Sequence, residues 1–195
     1  MNKKLTIQIL FYGSLWGILE ATIAGSIMFP IAGLILYKAY QKTESRQSLF
    51  YIGVVAASIK SVDLLLPQLS IYKTINPMIS ILLEAVVVVL VVNLLISQAP
   101  QKKYIALPIA SIGWRAIFIA WMGFQYITTG NLAPYITSFA AGFEFVILVG
   151  LLSGAIASIG LFVLDEIKFK VPELSSKWMY ATGLLIIAII TTYTL

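Results

Sequence analysis

Long apolar stretches separated by short polar connections dominate this sequence, and they restrict the chain to one kind of fold. Of the 195 residues, 60% are hydrophobic and only 11% are charged, whereas a soluble domain carries about 25% charged residues. Most of the outer surface must therefore face something other than water. A bilayer-spanning helix needs about 20 apolar residues, which leaves room for about six or seven spans. We predict an all-α, polytopic transmembrane helix bundle that forms a single integral membrane domain.

Seven apolar segments are the predicted spans. They lie at about 5–25, 27–40, 49–66, 76–97, 105–127, 135–164 and 178–195. The second segment is short, so it is either a tilted span that begins around Pro30 or a half-helix that re-enters the membrane. Helix-breaking residues mark the predicted connections, at Pro67, Asn76-Pro77, Pro100, Gly130-Asn131, Pro134 and Pro172.

The positions of the lysines and arginines predict the orientation of the bundle. If segment 27–40 crosses the membrane, ten basic residues share one side: Lys3, Lys4, Lys38, Lys42, Arg46, Lys102, Lys103, Lys168, Lys170 and Lys177. The opposite loops contain only Lys73. Because positive loops stay in the cytoplasm, we predict a cytoplasmic N-terminus. A re-entrant 27–40 would distribute the basic loops over both sides, which the rule disfavours.

The residue types that are missing exclude several functions. The chain has no histidine and no cysteine, so it lacks imidazole metal sites, thiol nucleophiles and histidine general bases. It also has no P-loop for nucleotide phosphates. We therefore expect neither enzymatic activity nor a resident metal or cofactor. The excess of positive charge is explained by topology and does not indicate a nucleic-acid partner.

Six ionisable residues lie within the predicted spans and are the strongest indication of function. A charge that faces lipid at the centre of a span costs at least about 2.5 kcal/mol, so these side chains should face the bundle interior or water. In the predicted orientation they converge on the outer half of the bundle, which indicates a polar cavity open to the outside. They are Glu20, Lys60, Asp63, Glu84, Arg115 and Glu144.

Structural roles for these charges stay open. Lys60 and Asp63 are three residues apart and can neutralise each other on one helix, whereas Arg115 can pair with Glu84 or Glu144. However, four acidic and two basic residues cannot all pair one to one. Either a carboxyl group stays protonated or something cationic binds.

Aromatic and small residues complete the predicted sites. Trp114 and Trp121 share a helix face, where they either cover the apolar part of a bound molecule or pack in the bundle. The predicted ligand-binding residues are thus Glu20, Lys60, Asp63, Glu84, Trp114, Arg115, Trp121 and Glu144. In the first span, small residues recur every four positions, a pattern that lets helices approach closely in lipid. This stripe either packs inside the bundle or docks another subunit, and it comprises Gly13, Gly17, Ala21 and Gly25.

Three motifs resemble a known family. They are SLWGILEAT at 14–22, SIKSVD at 58–63 and NPMISILLE at 76–84, and they are similar to segments of the substrate-binding S components of energy-coupling factor (ECF) transporters. The resemblance implies that the chain captures a small micronutrient-like molecule from outside. It also implies partners, namely a transmembrane coupling subunit that meets the small-residue face of the first helix and a pair of ATPases. The family has six helices, so the segment at 178–195 is an addition.

The sequence thus favours a membrane-embedded solute-binding and transport component. One alternative is a proton-coupled secondary transporter, in which Glu84 or Glu144 carries protons. Another is a non-catalytic assembly subunit whose charges bind a neighbouring membrane protein.

Overall fold

The computed structural model describes residues 2–23, 27–97, 99–167 and 173–194. Within these ranges the chain is helical without strands, which confirms the predicted all-α class. Gly25, Lys168, Lys170 and Pro172, which entered the sequence predictions, lie outside the described residues. The helices described are α1 (Lys3–Thr22), α2 (Met28–Thr43), α3 (Arg46–Lys60), α4 (Ile71–Leu95), α5 (Pro100–Thr129), α6 (Phe139–Glu166) and α7 (Trp178–Thr194). Short 3₁₀ turns lie at Ser61–Leu65, Pro134–Ile136 and Glu173–Ser176.

Four of these helical segments are long and apolar enough to cross a bilayer. They are Arg46–Leu65, Ile71–Leu95, Lys102–Thr129 and Phe139–Glu166. Large apolar side chains cover their outer surfaces, as Leu90, Ile127 and Phe139 show with 71%, 83% and 90% of their surface exposed. Large contiguous exposed apolar surfaces mark contact with a membrane or a partner. The length of the helices and the apolar outer surface are those of a membrane protein.

Six helices form a closed ring, and the seventh packs outside it. α1 lies against α3, α3 against α4, α4 against α5, and α5 against α6. α2 closes the ring through contacts with α6 and α1, and it also packs against α3 and α4, so it lies partly inside the ring. α7 packs mainly along α1, on the outside of the ring. The interior is filled by large side chains without exposed surface, among them Trp16, Leu36, Leu49, Ile52 and Leu107.

A polar cluster joins three helices at one end of the bundle, which we call the basic end. Lys103, at the start of α5, forms an ion pair of 2.5 Å with Asp165 near the end of α6. The Tyr37 hydroxyl near the end of α2 donates to the other oxygen of Asp165 (3.2 Å) and accepts from the Gln41 amide (2.7 Å). The end of α2 therefore lies beside the start of α5 and the end of α6.

Two further contacts place the remaining helices at the same end. Arg46, the first residue of α3, donates to Asn93 near the end of α4. Gln8 of α1 donates to Ser176, just before α7 (3.3 Å). Consecutive helices thus run in opposite directions, and α2 returns to the basic end. This geometry disfavours the re-entrant alternative for 27–40, since α3 would then begin at the opposite end.

The observed ends of α4 and α5 can be compared with the predicted boundaries. α4 begins at Ile71 and continues through Pro77, so the prediction of a connection at Asn76-Pro77 is wrong. A proline close to the start of a helix removes a single hydrogen bond, which a membrane helix tolerates. Pro100 is the first residue of α5, where a missing N–H costs nothing. The prediction at Gly130 is confirmed, because Gly130 ends α5 with φ +71°.

The contact between α5 and α6 is unusually close and is built around Pro108. Pro108 lies inside α5 and has no N–H, so the carbonyl oxygen of Tyr104 loses its helical donor. The Ser158 hydroxyl of α6 donates to that carbonyl instead (2.6 Å). The backbone of Pro108 can approach because Gly154 faces it, and a Cβ added at Gly154 would lie 2.4 Å from the Pro108 Cα. Gly150 also packs against α5, where an added Cβ would lie 3.1 Å from Cγ1 of Ile112.

Replacing Ser158 with alanine is expected to destabilise the protein by about 1–2 kcal/mol, because the Tyr104 carbonyl is left without a donor in an apolar contact. The matched control is Ser58→Ala, since Ser58 is exposed and bonds only a carbonyl of its own helix. Thermal unfolding of both variants in detergent measures the difference. Equal melting temperatures would show that the α6 hydroxyl does not compensate for the proline.

Replacing Asp165 with asparagine is expected to lower stability by about 1–2 kcal/mol, because Asp165 accepts from both Lys103 and Tyr37 at a partly exposed site. Glu166→Gln is the control, since Glu166 is the exposed neighbour on the same turn. Melting temperatures at low and high salt measure the effect. A loss of the same size in the control would assign it to net charge and not to the cluster.

Candidate functional site

A cavity of about 330 Å³ lies in the half of the bundle away from the basic end. It is enclosed by α1, the start of α2, α4, α5, α6 and the loop between α5 and α6. The loop residues Pro134 and Tyr135 are exposed and form its mouth. The lining residues are Glu20, Met28, Phe29, Asn76, Pro77, Ser80, Glu84, Trp114, Arg115, Phe118, Met122, Ala133, Pro134, Tyr135 and Phe145.

Arg115 is the only basic residue among the lining residues of the cavity described here. Its side chain is 2% exposed, and its Nη1 donates to the Ser111 carbonyl (3.0 Å) and hydroxyl (2.6 Å) one turn earlier in α5. The Ser111 hydroxyl in turn contacts the Ser153 hydroxyl of α6 (3.0 Å). The centre of the guanidinium lies 4.5 Å from the Trp114 ring and 5.6 Å from the Phe145 ring. Cation–π contact and the serines thus hold the cation in place.

Three polar atoms around the cavity are buried without a hydrogen-bond partner among the described residues. They are Oε2 of Glu84, Nε1 of Trp114 and Nε of Arg115. Glu84 and Trp114 are 5% and 6% exposed. Such groups normally find a partner, because an unsatisfied buried donor or acceptor costs about 1–3 kcal/mol, and more when charged. The three side chains line the cavity, but these atoms themselves have almost no accessible surface, so a bound molecule would reach them only after a small shift of the side chains.

Glu84 and Arg115 face the same cavity from neighbouring helices but do not form an ion pair. Among the described residues, the ion pairs within 4.0 Å are Lys60–Asp63 and Lys103–Asp165. The opposite charges of α4 and α5 are therefore separated by more than a direct contact. Burying such charges is costly unless they are paired and hydrogen-bonded.

Aromatic rings form the apolar wall of the cavity. The rings of Trp114 and Phe118 meet edge to face at 5.8 Å, and Phe145 contacts both at 6.0 and 6.2 Å. The Tyr135 ring stacks on Phe145 at 4.1 Å and covers it from the loop. Phe145 belongs to a π-helical turn within α6, Glu144–Leu148. Such turns are frequent at functional sites.

Half of the predicted ligand-binding residues line the cavity: Glu20, Glu84, Trp114 and Arg115. Trp121 lies beside it, and its Nε1 donates to the Asn76 side chain (3.0 Å), which does line the cavity. The remaining three predicted residues are placed elsewhere. Lys60 and Asp63 form their own ion pair of 2.7 Å, as the structural alternative proposed, and Glu144 is exposed on the outside of α6.

The small-residue stripe of α1 faces the interior of the bundle. Gly13 and Gly17 are buried, and a Cβ at either position would lie 2.6 to 2.7 Å from Val55 or Ile59 of α3. Ala21 is half-buried near the end of α1. These contacts favour the internal alternative for Gly13 and Gly17, because α3 occupies the face that another subunit would need.

Several lining residues were not predicted from the sequence. Phe118 and Met122 follow Trp114 at intervals of four along α5, so the face that carries Trp114 and Trp121 could have indicated them. Phe29, Tyr135 and Phe145 come from other elements, and no local pattern distinguishes them from ordinary core aromatics. Only the packing of the helices brings them to Arg115.

The cavity brings two carboxyl groups, one guanidinium and an aromatic wall together inside the bundle. Within the described ranges, no three or more acidic residues are placed to hold a metal ion. Comparison of the chain with protein-family models, with curated proteins and with solved structures gives no match. The class that the fold and the cavity define is therefore a helical membrane protein with a polar cavity inside the bundle.

Proposed function

We propose that this chain is a membrane-embedded solute-binding component that captures a small organic molecule from the outside. The observation that carries the proposal is the cavity inside the bundle, which is lined by Glu20, Glu84 and Arg115 and by an aromatic wall. The cavity volume of about 330 Å³ is at the lower end of the range for small-molecule sites, about 300–1,000 Å³.

The proposed orientation has the basic end in the cytoplasm and the mouth of the cavity outside. Lys103 and Arg46 are among the residues at the basic end, and positive residues beside spans stay in the cytoplasm. The N-terminus is then cytoplasmic, and all seven helices cross a bacterial cytoplasmic membrane. Below the cavity the bundle is filled, since Leu36, Ile52 and Leu107 have no exposed surface. A bound molecule would thus reach the cytoplasm only after the helices rearrange.

The energy for that rearrangement would come from partner proteins, as in the S components of ECF transporters that the three sequence motifs resemble. A ring of six helices with an additional α7 is compatible with this proposal. However, Gly13 and Gly17 face α3. A coupling subunit would therefore meet a different surface of the bundle from the one that the stripe indicates.

The test is to purify the full chain gently from its own host, with associated proteins retained, and to analyse it by native mass spectrometry. We expect a small molecule bound to the folded protein, together with a coupling subunit and an ATPase pair. A folded chain that retains a protein partner but no small molecule would instead support the assembly-subunit alternative.

A proton-coupled secondary transporter is the second candidate, and one observation favours it. Glu20 and Glu84 face the same cavity, so one carboxyl group can carry a proton while the other contacts the solute. Uptake by such a transporter would continue without an ATPase partner and would stop when the proton gradient is collapsed. Uptake measured in vesicles with and without a protonophore distinguishes the two mechanisms.

A further inference from the structure

We propose that the cavity binds an amphoteric molecule, with an oxyanion group on Arg115 and Trp114 and a basic group on Glu84 and Glu20. This inference rests on the proposed solute-binding function and specifies the class of solute. The inference depends on which charged groups line the cavity and on how far apart they are. The proposed function depends only on the presence of the cavity, so the two can be tested separately.

The proposed site for the oxyanion group of the solute has two adjacent hydrogen-bond donors. Nε of Arg115 and Nε1 of Trp114 are buried and unpartnered, and both residues line the cavity. Neither atom can accept a hydrogen bond. Ser111 occupies Nη1 of Arg115 with two hydrogen bonds, which keeps the guanidinium fixed. Because guanidinium groups bind carboxylates and phosphates through charge-assisted hydrogen bonds, an oxyanion group is the complementary partner.

The proposed site for the basic group of the solute has two carboxyl groups, on two walls of the cavity. Oε2 of Glu84 is buried without a partner, and Glu20 of α1 faces the same space. Lys60 is near enough for its charge to act on Glu20, but it does not line the cavity and is paired with Asp63 at 2.7 Å. The lining thus has two carboxyl groups and one guanidinium, an excess of acidic over basic groups. A basic group on the solute would compensate it.

A solute with two charged groups could bridge Glu84 and Arg115. The two side chains lie on adjacent helices and share the cavity, yet they form no ion pair within 4.0 Å. A molecule with only one charged group would leave the opposite charge buried and unpaired. The rings of Phe118, Phe145 and Tyr135 line the same cavity and offer an apolar surface for the body of the molecule.

The experiment identifies the small molecules that the denatured protein releases after purification of the full chain from its host. Release is quantified per protein for the wild type, for Glu84→Gln and for the control Glu144→Gln. Glu144 is exposed on the outside of the bundle, so its substitution changes the same charge without touching the cavity. The melting temperature of each purified protein shows whether it is folded.

The expected result is a released molecule that contains both an oxyanion and a basic nitrogen. We expect its amount to fall at least about tenfold in the folded Glu84→Gln protein and to stay unchanged in Glu144→Gln. A released molecule with only one of the two groups would overturn this inference but leave the proposed function intact. No released molecule from any folded protein would overturn both.

Discussion

Replacing Arg115 with glutamine is expected to lower both retention and uptake of the bound solute by at least about 30-fold. Removing one partner of a buried, hydrogen-bonded charge pair costs about 2–5 kcal/mol, and about 2 kcal/mol corresponds to this factor. Arg115 is 2% exposed and is the only cation among the lining residues described, so no neighbouring group can replace it. The measurement is the amount of small molecule released per folded protein, followed by uptake of that molecule into cells.

The matched control is Arg46→Gln. Arg46 is the other arginine in the chain, and it contacts Asn93 at the basic end, far along the bundle from the cavity. This control should retain the wild-type amount of solute, although it removes the same charge. If Arg115→Gln is folded and still binds like the wild type, the guanidinium is structural and the proposed site is wrong.

Replacing Gly154 with alanine is expected to destabilise the bundle by about 2–3 kcal/mol, although a single methyl group is added. The new Cβ would lie 2.4 Å from the Cα and 3.0 Å from the N of Pro108. These are backbone atoms that cannot rotate away, so α5 and α6 must separate. Overpacking of this kind typically costs about 1–3 kcal/mol. Separation would also shift Trp114, Arg115 and Phe145, because these helices carry them, and solute retention should fall as well.

Gly123→Ala on α5 and Gly183→Ala on α7 are the controls, since a Cβ at either position meets nothing within 4 Å. Alanine is the better helix former by about 0.5–1 kcal/mol, so both controls should melt at or above the wild-type temperature. Thermal unfolding in detergent measures all three variants. A Gly154→Ala protein as stable as these controls would show that the contact between α5 and α6 is looser than described.

The part of the site that the sequence predicted follows from a simple energetic rule. A charged residue inside an apolar helix costs free energy unless it faces a polar interior. Glu84 and Arg115 could therefore be identified from the sequence alone. The same rule selected Lys60, Asp63 and Glu144, which do not line the cavity. It cannot distinguish a charge that binds a solute from one that pairs on its own helix or lies on the outside.

The helical segments were predictable because apolar length and helix breakers are local properties. Two prolines inside helices are the exceptions, and a tertiary contact explains the second of them. Pro77 lies within α4, and Pro108 within α5 is accommodated because Ser158 of α6 supplies the missing donor. A proline signals a break in sequence, yet a neighbouring helix can satisfy the carbonyl that it leaves free.

By itself, the sequence determined the all-helical class, the apolar outer surface and the ionisable residues that require a polar interior. It did so because hydrophobicity and helix periodicity act over a few turns of one segment. Only the tertiary structure decided that Gly13 and Gly17 face α3, that α7 packs outside the ring, and that the rings of Phe29 and Phe145 adjoin Arg115. These features depend on which helices are neighbours and on how the helices are offset along the bundle axis. Both are determined by packing between residues far apart in the chain.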